Sequence, residues 1–303
     1  MSITFSCQSV GVNSIRKLGV MLGYDYKWMR QIGENVSQYY KPFIRNKNGK
    51  ERTIHNPISP LKTIQSRIHK RILAPIELPI HVQGGVKSRS PLTNASLHSG
   101  NEVVVAIDIR DFFPSVTDRW VFQIWREQLG FGRDAAKLLT RLTTLDNQLP
   151  QGSPTSTSLA NLAMLCADSE ILAGLASGLI YSRFVDDITI SGGDEAAQSI
   201  PYVAKILSRY GLRTHRSKKK CKVMRAGIAQ TVTGLTVNEK IAVPDRRRQQ
   251  IRAAVFKLEK ASSLEQKELL PEVLGQVNWL RQTNADQGEK LLARVAEVSR
   301  RVK

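Results

Sequence analysis

Between Ile180 and Gly192, two short runs of strand-forming residues flank the adjacent acids Asp186 and Asp187. Strand, polar centre, strand reads as a hairpin, so the fold must accommodate an antiparallel ribbon with two carboxylates at its tip. Two carboxylates about 4 Å apart repel by roughly 4 kcal/mol at an effective dielectric of about 20, so such a pair shifts its pKa or takes up a cation. A divalent metal is the natural guest. A third carboxylate arriving from elsewhere would make a two-metal phosphoryl-transfer centre.

The third acid has a candidate. Val103-Val-Val-Ala-Ile-Asp108 reads as a buried strand by its apolar continuity, and it ends in a carboxylate. Asp111, three residues on, would point to the opposite side along a strand and reads instead as a turn or helix-start residue. Taken singly these signals are weak, because an Asp-Asp pair is commonly a solvated turn and an Asp after a strand is commonly a helix cap.

Composition narrows the partner. The 303 residues carry 45 lysines and arginines against 26 acids, a net charge of +19, which points to a polyanion. From Lys205 to Arg225 there are nine lysines and arginines and no acid. Charge alone does not separate nonspecific RNA or DNA binding from an enzyme that travels along nucleic acid. Three cysteines, Cys7, Cys166 and Cys221, form no CxxC pattern, which argues against structural zinc and for free thiols in a reducing compartment. No apolar run approaches the roughly 18 residues of a membrane span, and no secretion signal opens the chain, so the expected location is the cytoplasm.

Residues 14 to 38 read as helical and amphipathic. Tyr39 to Arg45 and Glu51 to His55 form strand-like arms around the turn signal Asn48-Gly49, giving a basic hairpin with Arg45, Lys47, Lys50 and Arg52 on or near its arms. Leu61 to Leu73 is a helix with one apolar stripe, 81 to 90 a Gly-rich basic loop, and Asn94 to His98 opens or lies on a helix. Trp120 to Gln128 and Asp134 to Thr144 are helical, and Leu149-Pro-Gln-Gly-Ser-Pro154 is a loop feeding a small-residue helix. Thr231 to Val243 reads as a second hairpin, and a composition shift near Pro244 marks the start of basic helices, with Asp245 as N-cap.

In order and context these segments resemble the reverse transcriptases of the retron type over nearly the whole chain. Asp108-Ile-Arg-Asp-Phe-Phe-Pro-Ser115 is similar to the motif bearing the first catalytic aspartate, Leu149 to Pro154 to the template and nucleotide loop, and Phe184-Val-Asp-Asp187 to the aromatic-x-Asp-Asp tip. Asn94 to His98 matches the retron NAxxH pattern and Val232-Thr-Gly234 the VTG pattern. The resemblance implies an α+β right-hand polymerase fold. Its expected parts are N-terminal helices and fingers over 1–100, an antiparallel palm over 101–243 with a fingers-side helical insertion around 117–150, and a helical thumb over 244–303.

It implies RNA-templated DNA synthesis on a cognate noncoding RNA, giving multicopy single-stranded DNA, primed from an RNA 2′-hydroxyl. Asp108, Asp186 and Asp187 would be catalytic and would hold two Mg²⁺ ions with the Ile109 backbone carbonyl. Arg52 would grip the dNTP triphosphate, Gln151 and Gly152 would let backbone approach it, and Lys218 would neutralise pyrophosphate. Phe113 would sit under the sugar and exclude a ribose 2′-hydroxyl; Phe112 reads as core. Asn94, His98, Val232, Thr233, Gly234, Arg246, Arg247 and Arg248 are the expected RNA-binding set, although His98 also reads as a buried core histidine and the 232–234 turn as plain hairpin chemistry. His215 stands where the family often has asparagine, and Val185 replaces the alanine usual in the retron tip.

Two alternatives stay open. One is a group II intron-like or other bacterial reverse transcriptase, against which the short stretch after the thumb leaves no expected room for further domains. The other is an RNA-binding and DNA-binding scaffold that restrains an effector protein, which fits the resemblance of retrons to toxin–antitoxin devices in phage defence.

Overall fold

The computed structural model describes residues 12–47, 50–215, 217 and 221–302. Its first two helices, α1 (Ile15–Leu22) and α2 (Tyr26–Glu34), divide the stretch that the sequence reads as helical. Gly23 is the cause: at φ 69° it takes the left-handed conformation that ends α1, donating to the Val20 carbonyl, and Asp25 then caps α2 through the Trp28 N–H. Strands β1 (Tyr40–Lys47) and β2 (Lys50–Pro57) form the basic ribbon, with Arg45 opposite Arg52. Its Asn48-Gly49 turn lies outside the described residues. Helix α3 (Leu61–Ile68) buries Leu61, Ile64 and Ile68 and passes into one wider π turn, His69–Leu73.

A Ser90 capping box starts α4 (Pro91–Ser96). Next come β3 (Val103–Arg110), α5 (Phe112–Ser115), α6 (Asp118–Gln123), α7 (Arg133–Thr143) and α8 (Ser156–Gly174). The hairpin of β4 (Ile180–Phe184) and β5 (Asp187–Gly192) leads through α9 (Glu195–Gln198) and α10 (Ile200–Arg209) to β6 (Arg213–Thr214) and β7 (Cys221–Arg225). A small ribbon, β8 (Thr231–Val232) and β9 (Leu235–Thr236), precedes α11 (Asp245–Lys260), α12 (Ser263–Arg281) and α13 (Ala285–Val302).

The middle strand of the main sheet is β3. Along one edge runs β5, with β4 beyond it; β7 and β6 share the other edge, and every pairing is antiparallel. Alternate β3 residues enter two different cores. Val103, Val105, Ile107 and Ile109 pack with α1 to α3, α6 to α8 and α10, whereas Val104 joins Met224, Val232, Leu235 and helices α11 to α13. A strand covered on both faces reads as an unbroken apolar run, which explains 103–107. By the same period of two, Asp108 shares the face of Val104 and Ala106.

One capping expectation is corrected. Pro244, extended at ψ 144°, occupies the cap position of α11, so Asp245 becomes the first helical residue and makes no side-chain cap; it pairs with Arg248 instead. Trp279 packs half-buried against the second core. Among the described residues no helix is long and apolar enough to cross a membrane.

Candidate active site

The hairpin pairs Phe184 with Asp187, which leaves Val185 and Asp186 as its two-residue tip. Val185 has φ 62°, a conformation that β-branched residues rarely adopt. In the β3–β5 register Asp187 is the direct partner of Asp108, and the Ile109 N–H donates to the Asp186 carbonyl at 2.9 Å. Backbone pairing thus brings together three acids separated by almost eighty residues of sequence. From the far edge, the His215 N–H donates to the Asp108 carbonyl at 3.0 Å, and His215 Nε2 lies 3.2 Å from Asp108 Oδ1.

A cavity of about 590 Å³ opens over this end of the sheet, lined among others by Arg52, Asp108, Ile109, Phe113, Gln151, Gly152 and Asp186. The His55 N–H donates to the Gln151 carbonyl at 2.7 Å, so the β1–β2 ribbon is tied to the 149–154 loop. Gly152 has φ 119°, and a Cβ there would lie 2.9 Å from the His55 carbonyl oxygen; the glycine is required by conformation and by space. Phe113 is half-buried on the cavity wall, while Phe112 is 2% exposed and belongs to the core. Arg52 is exposed at the rim.

A second cavity, about 370 Å³, adjoins the first through Asp108 and is lined by Phe184, Asp187, Lys222 and the 232–234 turn. Lys218, expected to neutralise pyrophosphate, lies outside the described residues; Lys222, exposed on β7, lines this cavity. Thr233 adopts φ 47° and its hydroxyl donates to the Pro91 carbonyl at 2.8 Å, which ties the turn to α4; Gly234 is exposed at φ 84°. Arg246 and Arg247 are exposed and Arg248 is half-buried.

Asn94, His98 and Val232, expected in the RNA-binding set, carry buried side chains. Asn94 and His98 are each 0% exposed, and Val232 belongs to the second core. His98 Nε2 lies 2.7 Å from Ser182 Oγ and Nδ1 2.7 Å from Ser191 Oγ, while the Ser182 hydroxyl donates to Asn94 Oδ1 at 2.7 Å. Because the Ser182 proton is committed to Asn94, Nε2 carries the imidazole proton and Nδ1 accepts from Ser191. Burial lowers the His98 pKa to about 4, keeping the ring neutral. The pair therefore pins α4 onto β4 and β5.

Sequence reading also missed Arg183, Asp168 and Asn161, all fully buried behind the tip. The signal to be had was Arg183 inside the strand 180–184 and Asp168 in a helix, 156–174, made mostly of apolar and small residues.

Among the described residues no three His, Cys, Asp or Glu side chains are drawn together as a ready-made metal cage. The donor set nevertheless fits a hard divalent ion. Three carboxylates sit at one end of the sheet and open on adjoining cavities, and an ion such as Mg²⁺ is ordinarily held by one or two carboxylates together with substrate phosphates.

Residues 44–268 match the reverse transcriptase (RNA-dependent DNA polymerase) family, whose members generally use divalent metal ions. The retron Se72 reverse transcriptase of Salmonella heidelberg (strain 579083-10) is 33% identical over 264 residues, covering 84% of this chain and 70% of that protein. The retron Ec86 reverse transcriptase of Escherichia coli is 29% identical over 313 residues, covering 98% and 94%. The retron Mx162 reverse transcriptase of Myxococcus xanthus is 32% identical over 306 residues, and the chain spans 62% of its length. A solved foamy viral protease-reverse transcriptase in complex with double-stranded DNA is similar at 18% identity, with a TM-score of 0.46 over 80% of this chain and 36% of that one. With a family match across most of its length and retron relatives across nearly all of it, the chain belongs to the reverse transcriptases, the RNA-dependent DNA polymerases, and among them to the retron type.

Proposed function

We propose that this chain copies a cognate retron noncoding RNA into multicopy single-stranded DNA, beginning from an RNA 2′-hydroxyl. The observation that carries the reading is the pairing of Asp108 with Asp187 while Ile109 holds the Asp186 backbone, directly beneath the cavity that Arg52, Phe113, Gln151 and Gly152 line. Asp108, Asp186 and Asp187, with the Ile109 carbonyl, would hold two Mg²⁺ ions. Bound there, the ions supply a lowered pKa for the attacking hydroxyl and charge to balance the leaving pyrophosphate.

The chain's own groups do the rest. Arg52 reaches the triphosphate with a fork of N–H donors, and the 151–152 backbone lies against the nucleotide. Phe113 closes the floor beneath the sugar, and Lys218 neutralises pyrophosphate. Thr233 and Gly234 of the turn, with Arg246, Arg247 and Arg248, hold the RNA and the growing duplex. On this reading 1–100 is the N-terminal helices and fingers, 101–243 the palm with its fingers-side helical insertion around 117–150, and 244–303 the thumb. The RNA–DNA product and an effector protein are the partners, phage defence in the cytoplasm the setting.

The test is expression of the chain together with the DNA flanking its reading frame, followed by isolation of single-stranded DNA covalently linked to RNA. Wild type should yield this species, and Asp186→Asn and Asp187→Asn should abolish it. Undiminished product from both variants removes the metal-site assignment. Extension of an oligo(dT) primer on poly(rA) without any RNA-linked DNA from the flanking transcript points to another type of reverse transcriptase.

A further inference from the structure

Val185 sits in a backbone conformation that persists only when its surroundings dictate it. What dictates it lies behind the tip, on the side away from the two cavities. There the Arg183 side chain is completely buried, and every one of its N–H groups has an acceptor. Nε and Nη2 donate to the Asp168 carboxylate at 2.9 and 2.7 Å, and Nη2 also points to the Asn161 carbonyl at 3.4 Å. Nη1 divides its protons between Asn161 Oδ1 at 2.9 Å and the Val185 carbonyl at 3.0 Å. Burial works against the ionised form of Asp168, yet the adjacent guanidinium holds its carboxyl below the ordinary range, so the pair stays charged.

The Gly-rich loop 81–85 completes the enclosure. The Arg183 N–H donates to the His81 carbonyl at 2.8 Å, and the Gln83 N–H donates to the Arg183 carbonyl at 2.7 Å. Asn161 Nδ2 donates to the Gly84 carbonyl at 2.8 Å, which sets Gly84 against the tip: a Cβ on Gly84 would lie 2.5 Å from Val185 N. The Val185 carbonyl is therefore held from behind by Arg183, and the next carbonyl, that of Asp186, is held from the front by Ile109 N at 2.9 Å. One peptide of rotation separates the two anchors. Losing the rear one frees the Val185–Asp186 peptide to turn, and with it the direction in which the two acids leave the strand.

We propose that Arg183 is a positioning residue for the acidic tip, acting with Asn161 and Gly84 to set Asp186 and Asp187 against Asp108 so that a divalent ion binds. This rests on the reading of those three aspartates as the metal site. A lysine cannot replace the arginine, since one ammonium with three donors cannot reach Asp168, Asn161 and Val185 together.

The test uses the full chain as Arg183→Lys, Asn161→Ala and Gly84→Ala, with Asp186→Asn as reference. Mn²⁺ binding is titrated by the loss of the free-ion EPR signal without nucleic acid. In parallel, the Mg²⁺ dependence of primer extension and the KM for dTTP are measured on poly(rA)/oligo(dT). Asn161→Ala leaves the buried charge pair in place, so it reports on the brace even where Arg183→Lys fails to fold. The expected result is Mn²⁺ affinity weakened about tenfold or more in Asn161→Ala and Gly84→Ala, the usual size for a residue that orients a metal ligand, with KM for dTTP within a factor of about two. Folded variants with wild-type Mn²⁺ affinity and wild-type Mg²⁺ activation overturn the proposal. If Asp186→Asn also binds Mn²⁺ and extends primer as wild type does, it is the metal-site reading that falls.

Discussion

Asp108 and Asp187 stand directly opposite each other on adjacent antiparallel strands, at the last position where β3 and β5 pair. Like charges at such a position destabilise the sheet unless a cation lies between them. Asp108→Asn should therefore reduce polymerisation by about 10³-fold or more, since several kcal/mol of electrostatic stabilisation go with the ion. It should also shift the thermal midpoint little when Mg²⁺ is absent, because relief of the repulsion from Asp187 is set against loss of the charge beside His215 Nε2. Single-turnover extension and a melting curve in EDTA check the two halves of this expectation.

Gly152 joins conformation to assembly of the cavity above the acids. Alanine there must adopt φ near the observed 119° and push against the His55 carbonyl and Ile54. Relief comes by moving the ribbon off the loop, which breaks the His55–Gln151 bond. Gly152→Ala should cost roughly 1–3 kcal/mol of stability and raise KM for dNTP more than it lowers the rate at saturation. Steady-state kinetics with varied dTTP distinguish this from a uniform loss.

His98 predicts an acid sensitivity with a definite sign. Its folded pKa of about 4 lies below the ordinary 6.5, so the unfolded chain binds a proton first as pH falls. Stability is full above pH 6.5, declines between 6.5 and 4, and by pH 5 should have fallen by about 2 kcal/mol from this residue. Denaturant melts at pH 7 and pH 5 should show wild type losing about that much more than His98→Gln. Equal losses in the two proteins would assign the acid sensitivity elsewhere.

Phe113 and Phe112 are adjacent rings in different settings, one on the cavity wall and one in the core. Their centroids are 5.9 Å apart, yet only Phe113 faces the cavity, where it would meet a ribose 2′-hydroxyl; Phe112 is core. Phe113→Ala should relax the preference for dTTP over UTP, read as the ratio of their kcat/KM values. Phe112→Ala should leave that ratio alone and lower stability by about 3–5 kcal/mol.

The sequence made the hairpin tip and the apolar strand ending at Asp108 legible because both are local patterns, periods of residue type broken by charge. It also announced Gly152, whose neighbours Pro150 and Pro154 mark a loop. It could not reveal that Asn94 and His98 face inward, because a four-residue spacing is the same for a helix face turned to RNA and one turned to a sheet. Nor did Arg183 stand out, since an arginine beside an aromatic in a basic chain looks like surface charge until Asp168 is seen behind it. The buried pair depends on packing between a strand and a helix and on the loop 81–85, which no periodicity encodes.

The three arginines that open α11 should not contribute equally to nucleic-acid affinity. Arg246 and Arg247 are exposed, while Arg248 is half-buried and ion-paired with Asp245 in the same helical turn. A phosphate contact releases a counterion, so each arginine that touches the backbone adds about 0.7–0.9 to the slope of log K against log salt. Arg246→Ala and Arg247→Ala should each flatten that slope by about one and weaken binding to unrelated sequences equally. Arg248→Ala should change the slope less, because its guanidinium is already neutralised by Asp245. Fluorescence anisotropy with an RNA–DNA hybrid across a salt series makes the comparison. Equal flattening by all three variants would mean that the Arg248–Asp245 pair opens when the duplex binds.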